Sequence, residues 1–158
     1  MFSRRTVIQT LALGAIVPPI FSTNAQASTS SPLIYLSPFK SNGELSKCQA
    51  EVWFVADEAD FLVVTAFDAW RTKALEQGLN TAQVWVGDEG QWQSSDGRYK
   101  ALPSLTTDVT REDDATAHAR LLSKFGQKYT NEWGTWGPRF KRGLADGSRV
   151  MLRYSPKA

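Results

Sequence analysis

The stretch from Ser46 to Thr65 restricts the possible folds more than any other part of the chain. From Ser46 to Ala56 the residues alternate: Ser46, Cys48, Ala50, Val52, Phe54 and Ala56 share one side, while Lys47, Gln49, Glu51 and Trp53 share the other. A period of two belongs to a strand with one buried face. Asp57 to Asp60 predicts a turn, and Phe61-Leu62-Val63-Val64-Thr65 is apolar on both faces, as a strand covered on each side must be. Two strands joined by so short a turn commit the chain to an antiparallel sheet.

The remaining segments extend that sheet. Leu33 to Leu36 predicts a short strand, followed by a hairpin turn at Ser41-Asn42-Gly43, where Asn-Gly accepts positive backbone angles. Asp68 stands where a helix cap belongs, and Ala69 to Gln77 predicts a short helix stopped by Gly78. Ala82 to Val86 and Arg98 to Leu105 predict strands, separated by the turns Gly87 to Gly90 and Asp96-Gly97. Thr110-Arg111-Glu112-Asp113 has the form of a capping box, which predicts a helix from Arg111 to about Phe125 with the apolar stripe Ala115, His118, Leu121, Leu122 and Phe125. Asn131 to Gly147, rich in glycine and aromatics, predicts a long loop, and Arg149 to Tyr154 a last strand with Val150, Leu152 and Tyr154 on one face. Six or seven strands with two short helices define a mainly β (α+β) chain, an antiparallel sheet that curls into a barrel and so removes its edges.

Ser3-Arg4-Arg5-Thr6-Val7-Ile8-Gln9 precedes the apolar run Leu11 to Phe21, which is interrupted by Pro18 and Pro19, and Asn24-Ala25-Gln26-Ala27 puts small residues where a signal peptidase needs them. Residues 1–27 are therefore expected to be a twin-arginine signal peptide cut after Ala27; an ordinary secretory signal is the rival, because the Phe often found after the paired arginines is missing. Residues 28–32 are expected to be a flexible leader, 33–158 the domain, and the location periplasmic or secreted. The 18 basic residues outnumber the 16 acidic ones only through Arg4 and Arg5, so the domain is near neutral, which argues against nucleic-acid binding. No long apolar run follows Ala27, which argues against membrane insertion.

Cys48 is the only cysteine, so no internal disulfide forms, and it is expected to be a small core residue. With His118, the only histidine, it cannot assemble a zinc site, and no metal is expected. His118 on an apolar helix stripe predicts a hydrogen-bonded core histidine. Nucleophile elbow, Walker loop and dinucleotide fingerprint are all absent from the sequence.

Chemistry concentrates in Glu51 to Leu75: strand, turn, a second strand ending in Thr65, then a helix start with Trp70, Arg71 and Lys73. Charged donors just past a strand can hold an anion; the plainer alternative is a solvated helix face. This order of elements resembles the FMN-binding split-barrel superfamily, which includes pyridoxamine phosphate oxidase-like and deazaflavin-dependent nitroreductase-like proteins. The resemblance implies a split barrel, usually a homodimer, binding FMN or a deazaflavin. In it Thr65 would supply the strand-end hydroxyl, Arg71 and Lys73 the phosphate grip, and Trp70 a wall for a planar ring, with hydride transfer as the reaction of any catalytic member. A second candidate is the Trp133-Gly134-Thr135-Trp136-Gly137-Pro138-Arg139 segment, whose Trp133, Trp136 and Arg139 must pack on the barrel mouth, a partner subunit or a flat ligand. The rival function is a non-catalytic ligand- or partner-binding module on the same fold. Haem binding is a third, disfavoured by the single histidine.

Overall fold

The computed structural model describes residues 29–158, so the expected signal peptide lies outside the described residues. Seven strands form one antiparallel sheet: β1 (Ile34–Pro38), β2 (Ala50–Val52), β3 (Val55–Asp57), β4 (Asp60–Ala66), β5 (Thr81–Val86), β6 (Ser104–Glu112) and β7 (Arg149–Pro156). Their order in the sheet is β2-β1-β5-β6-β7-β4-β3. The two edge strands are adjacent in sequence, separated only by Trp53 and Phe54, so the sheet has to roll up on itself. Among the described residues three helices pack on this sheet: α1 (Trp70–Glu76), α2 (Ala115–Lys128) and α3 (Trp133–Asp146).

Alternation along the strands sorts the side chains into two cores. Phe61 and Val63 of β4 and Val150, Leu152 and Tyr154 of β7 point into the barrel with Ile34, Leu36, Phe54 and Val84. Leu62, Val64 and Met151 point outward, against Leu121, Phe125, Tyr129 and Phe140 of the α2–α3 layer. That layer is tight because Trp133 lies in a notch between two glycines: a Cβ on Gly126 or Gly137 would come within 2.6 or 2.7 Å of the indole.

The predicted strand from Ser46 to Ala56 is interrupted at Trp53-Phe54. The cause is α2. Phe54 N–H donates to the Tyr129 hydroxyl at 2.9 Å, and Lys128 Nζ donates to the Phe54 carbonyl at 3.0 Å, so side chains take the backbone groups a neighbouring strand would use. The inside-outside alternation survives the break, with Val52 and Phe54 packed on the barrel interior and Trp53 and Val55 on the helical layer. The break opens the barrel. β3 pairs with β4 only from Val55↔Leu62 to Asp57↔Asp60, while β2 pairs with β1, so no ladder joins β2 to the Val63–Ala66 stretch of β4. That unzipped stretch is the seam.

Other expectations need correction. The long loop at 131–147 is mostly helix α3, since Trp136, Gly137, Phe140 and Gly143 repeat at helical spacing and bury one face, which outweighs the poor propensity of its glycines and of Pro138. Three helices therefore pack on the sheet among the described residues, two of them 14 residues long. Arg98–Ala101 is a 3-10 turn, and the strand placed at 98–105 begins only at Ser104. The capping box at Thr110 does not form, because β6 stays paired with β7 as far as Glu112; Asp114 caps α2 instead, accepting from Ala117 N–H at 2.7 Å. At α1 the cap position is Ala69 rather than Asp68, without a side-chain bond. Cys48 is exposed, on the segment that leads into β2.

Candidate functional site

Side chains from the helices gather on both sides of the seam. On the inner side, Thr65 is buried near the end of β4, and Arg71, in the first turn of α1, reaches back to it. The Arg71 guanidinium donates from one terminal nitrogen to Thr65 Oγ1 and lies 5.1 Å from the centre of the Trp70 ring. Its Nε is buried with no hydrogen-bond partner, and no carboxylate of the described residues lies within ion-pairing distance of it. Burial pushes the Arg71 pKa below the usual guanidinium value, opposed by the Tyr154 phenol and the Glu51 carboxylate. An uncompensated cation in this setting is costly, and an incoming anion would relieve it.

Lys73, two residues further along α1, faces elsewhere. It pairs with Glu76 at 3.0 Å, sits over the Phe67 ring, and joins Trp70 and Cys48 on a surface hollow of about 250 Å³. The structure thus brings Thr65, Trp70 and Arg71 together and sets Lys73 at the far side of Trp70.

On the outer side of the seam is a second cluster. Val52, Trp53, Val64, Trp136, Phe140 and Arg149 line a pocket of about 330 Å³. Trp53 stacks on Tyr129 at 4.4 Å between ring centres and meets Trp136 edge-on at 6.2 Å. Arg139 and Arg149 both lie over the Trp136 ring, at 5.0 and 5.8 Å, and Arg149 also lies over Phe140. Gly143 makes room for Arg149: a Cβ there would come within 2.6 Å of its stem. Trp133, one helical turn before Trp136, packs instead in its glycine notch, against Phe125 and Phe140. Trp53 and Phe140 are site residues that sequence reasoning missed. Reading 133–146 as a helix would have found Phe140, since it falls one turn beyond Trp136.

Two further groups take structural roles. His118 donates from Nε2 to the Glu112 carbonyl at 2.6 Å, which pins the start of α2 to the end of β6. Arg153 of β7 reaches Asp60 at 2.7 Å, Glu112 at 2.8 Å and Asp57 at 3.3 Å, and Asp57 also binds Arg120 and Lys124.

No protein-family profile matches this chain, and no curated protein is significantly similar to it in sequence. Solved structures do share its fold. One is HutZ, the heme storage protein from Vibrio cholerae, with a TM-score of 0.58, 14% identity, and coverage of 84% of this chain and 87% of that one. A conserved hypothetical protein from Mycobacterium tuberculosis gives 0.60 at 13% identity, covering 94% and 87%. A putative pyridoxamine 5'-phosphate oxidase from Listeria innocua gives 0.54 at 12% identity, covering 84% and 90%. These likenesses establish the architecture as an antiparallel α+β split barrel, in agreement with the seam described above.

Proposed function

We propose that this chain is an exported split-barrel protein, a homodimer in its working form, that binds a flavin or deazaflavin through the cofactor's phosphate at Thr65 and Arg71. The observation that carries this reading is the Arg71 guanidinium: buried beside an unzipped seam, without a carboxylate, and with its Nε unused. A phosphate oxygen would satisfy that Nε and accept from the Thr65 hydroxyl, so the donors present fit the group. Trp70 stands beside them, whereas Lys73 is held away from the pair by its contacts with Glu76 and the Phe67 ring. Such a cofactor, when bound, supplies hydride-transfer chemistry. The chain's own contribution is to hold the anionic tail, neutralise it, and shield it from water with Trp70.

The protein purified from its host after export is expected to carry flavin-type absorbance, or to gain it in a 1:1 titration with FMN or a deazaflavin. Colourless protein that takes up neither overturns the reading. A non-catalytic binding module is the second reading, favoured by the outer pocket, whose walls are Trp53, Trp136 and Phe140 with Arg149 at its side. Haem ligation finds less support, because the Nε2 of the only histidine is engaged by the Glu112 carbonyl.

A further inference from the structure

We infer that the outer pocket binds a small planar aromatic anion, of the aromatic-carboxylate class, independently of the Thr65–Arg71 cluster. The two clusters lie on opposite faces of β4, since Val64 faces the helical layer and lines the outer pocket while Thr65 is its inward-facing neighbour.

Three features define the ligand. First, the walls are aromatic and steeply inclined to one another: Trp53 meets Trp136 at 72° and Phe140 at 70°. A flat ring entering there meets one wall face-on and the others edge-on, both favourable geometries. Second, the charge is one-sided. Arg139 and Arg149 have no ion-pair partner among the described residues, whereas Arg98, Arg111 and Arg120 each pair with a carboxylate and Arg153 pairs with three. Their present partners are ring faces, which leaves guanidinium edges free to donate to a carboxylate in fork geometry. Third, Arg149 is held in place: its stem crosses α3 where Gly143 has no side chain, and its guanidinium rests on Trp136 and Phe140. A volume of about 330 Å³ suits one small ring system with its carboxylate.

Equilibrium dialysis of the purified protein against three probes tests this: 2-naphthoate, its neutral relative 2-naphthalenemethanol, and the non-planar anion cyclohexanecarboxylate. The expected result is one 2-naphthoate per chain, with tryptophan quenching, and at least tenfold weaker binding of each of the other two. Arg149→Gln is expected to cost 2-naphthoate at least tenfold and remove its advantage over the alcohol. If that variant does not fold, as judged by near-UV circular dichroism, salt takes its place: raising NaCl from about 20 mM to about 500 mM weakens the naphthoate and leaves the alcohol unchanged. Equal affinity for all three probes, an unaffected Arg149→Gln, salt-insensitive naphthoate, or no binding because a second copy covers Trp136 each overturns the assignment. This inference and the cofactor reading fail separately, because the dialysis uses cofactor-free protein and Arg71→Gln is expected to leave naphthoate affinity within twofold.

Discussion

Strand β4 has a guanidinium group at each end, and the two sit in opposite surroundings. At its start Arg153 is enclosed by Asp57, Asp60 and Glu112; burial works against its charge, but the hydrogen bonds to these carboxylates outweigh burial and raise its pKa. At its end Arg71 has a hydroxyl and a ring face in place of carboxylates, and burial lowers its pKa. The first end is where β3 and β4 are zipped together and clamped to α2 and β6. The second is the seam. Charge is neutralised where the barrel is closed and left unneutralised where it is open, which is the distribution expected if structure is fixed at one end and an anion is received at the other.

The largest effect should come from breaking the closed end. Arg153→Met leaves Asp60 and Glu112 without a cation, with Asp57 held only by Arg120 and Lys124, and is expected to cost about 3 kcal/mol in urea unfolding; a loss below about 1 kcal/mol would mean that the network is only a surface feature. Acid is expected to do the same more gradually. Hydrogen bonding to Arg120, and beyond that to Lys124, holds the Asp57 carboxyl well below its usual range, and Arg153 does so for Glu112. A carboxylate with a depressed folded-state pKa stabilises fully above its unfolded value, and that stability disappears as pH falls through the folded one. The melting temperature should therefore fall steeply below about pH 4, and Glu112→Gln should make the fall shallower.

Arg71→Met sharpens the contrast in the other direction. Replacing an uncompensated buried charge by an apolar group of similar length should be neutral or stabilising by about 1 kcal/mol; destabilisation as large as that of Arg153→Met would show that Arg71 is structural. The smallest effect concerns Lys128, another cation without a carboxylate partner, placed 3.4 Å over the Phe54 ring. Burial pulls its pKa down to about 8. The folded state then binds fewer protons than the unfolded chain between about pH 8 and pH 10.4, so stability rises with pH across that window. Lys128→Met should flatten the rise and change stability at pH 7 by under about 1 kcal/mol, because the side chain is only partly buried.

Much of this was legible in the sequence, for reasons that can be traced to particular residues. Alternation at Val52 to Val55 and the doubly apolar Phe61 to Thr65 gave the sidedness of the seam, and the nearness of Arg71 to Thr65 followed from one tight connection between β4 and α1. The break at Trp53-Phe54 was not legible, because it is imposed by Tyr129 and Lys128, some 75 positions away in the chain. Helix α3 was hidden for a related reason: Gly137 and Gly143 look like loop residues until Trp133 and Arg149 are seen filling the space they leave. The outer pocket depends on both of those elements, so of its lining residues only Trp136 was a candidate beforehand, with Arg139 beside it.

The central claim is that the Arg71 cation is kept for an anion. Paired titrations of FMN and riboflavin, which differ by the phosphate, against the unaltered protein and Arg71→Met address it most directly, with bound flavin read by fluorescence. FMN should bind the unaltered protein at least tenfold more tightly than riboflavin, and that preference should vanish in the variant. An equal FMN preference in both proteins, or none in either, would contradict the claim.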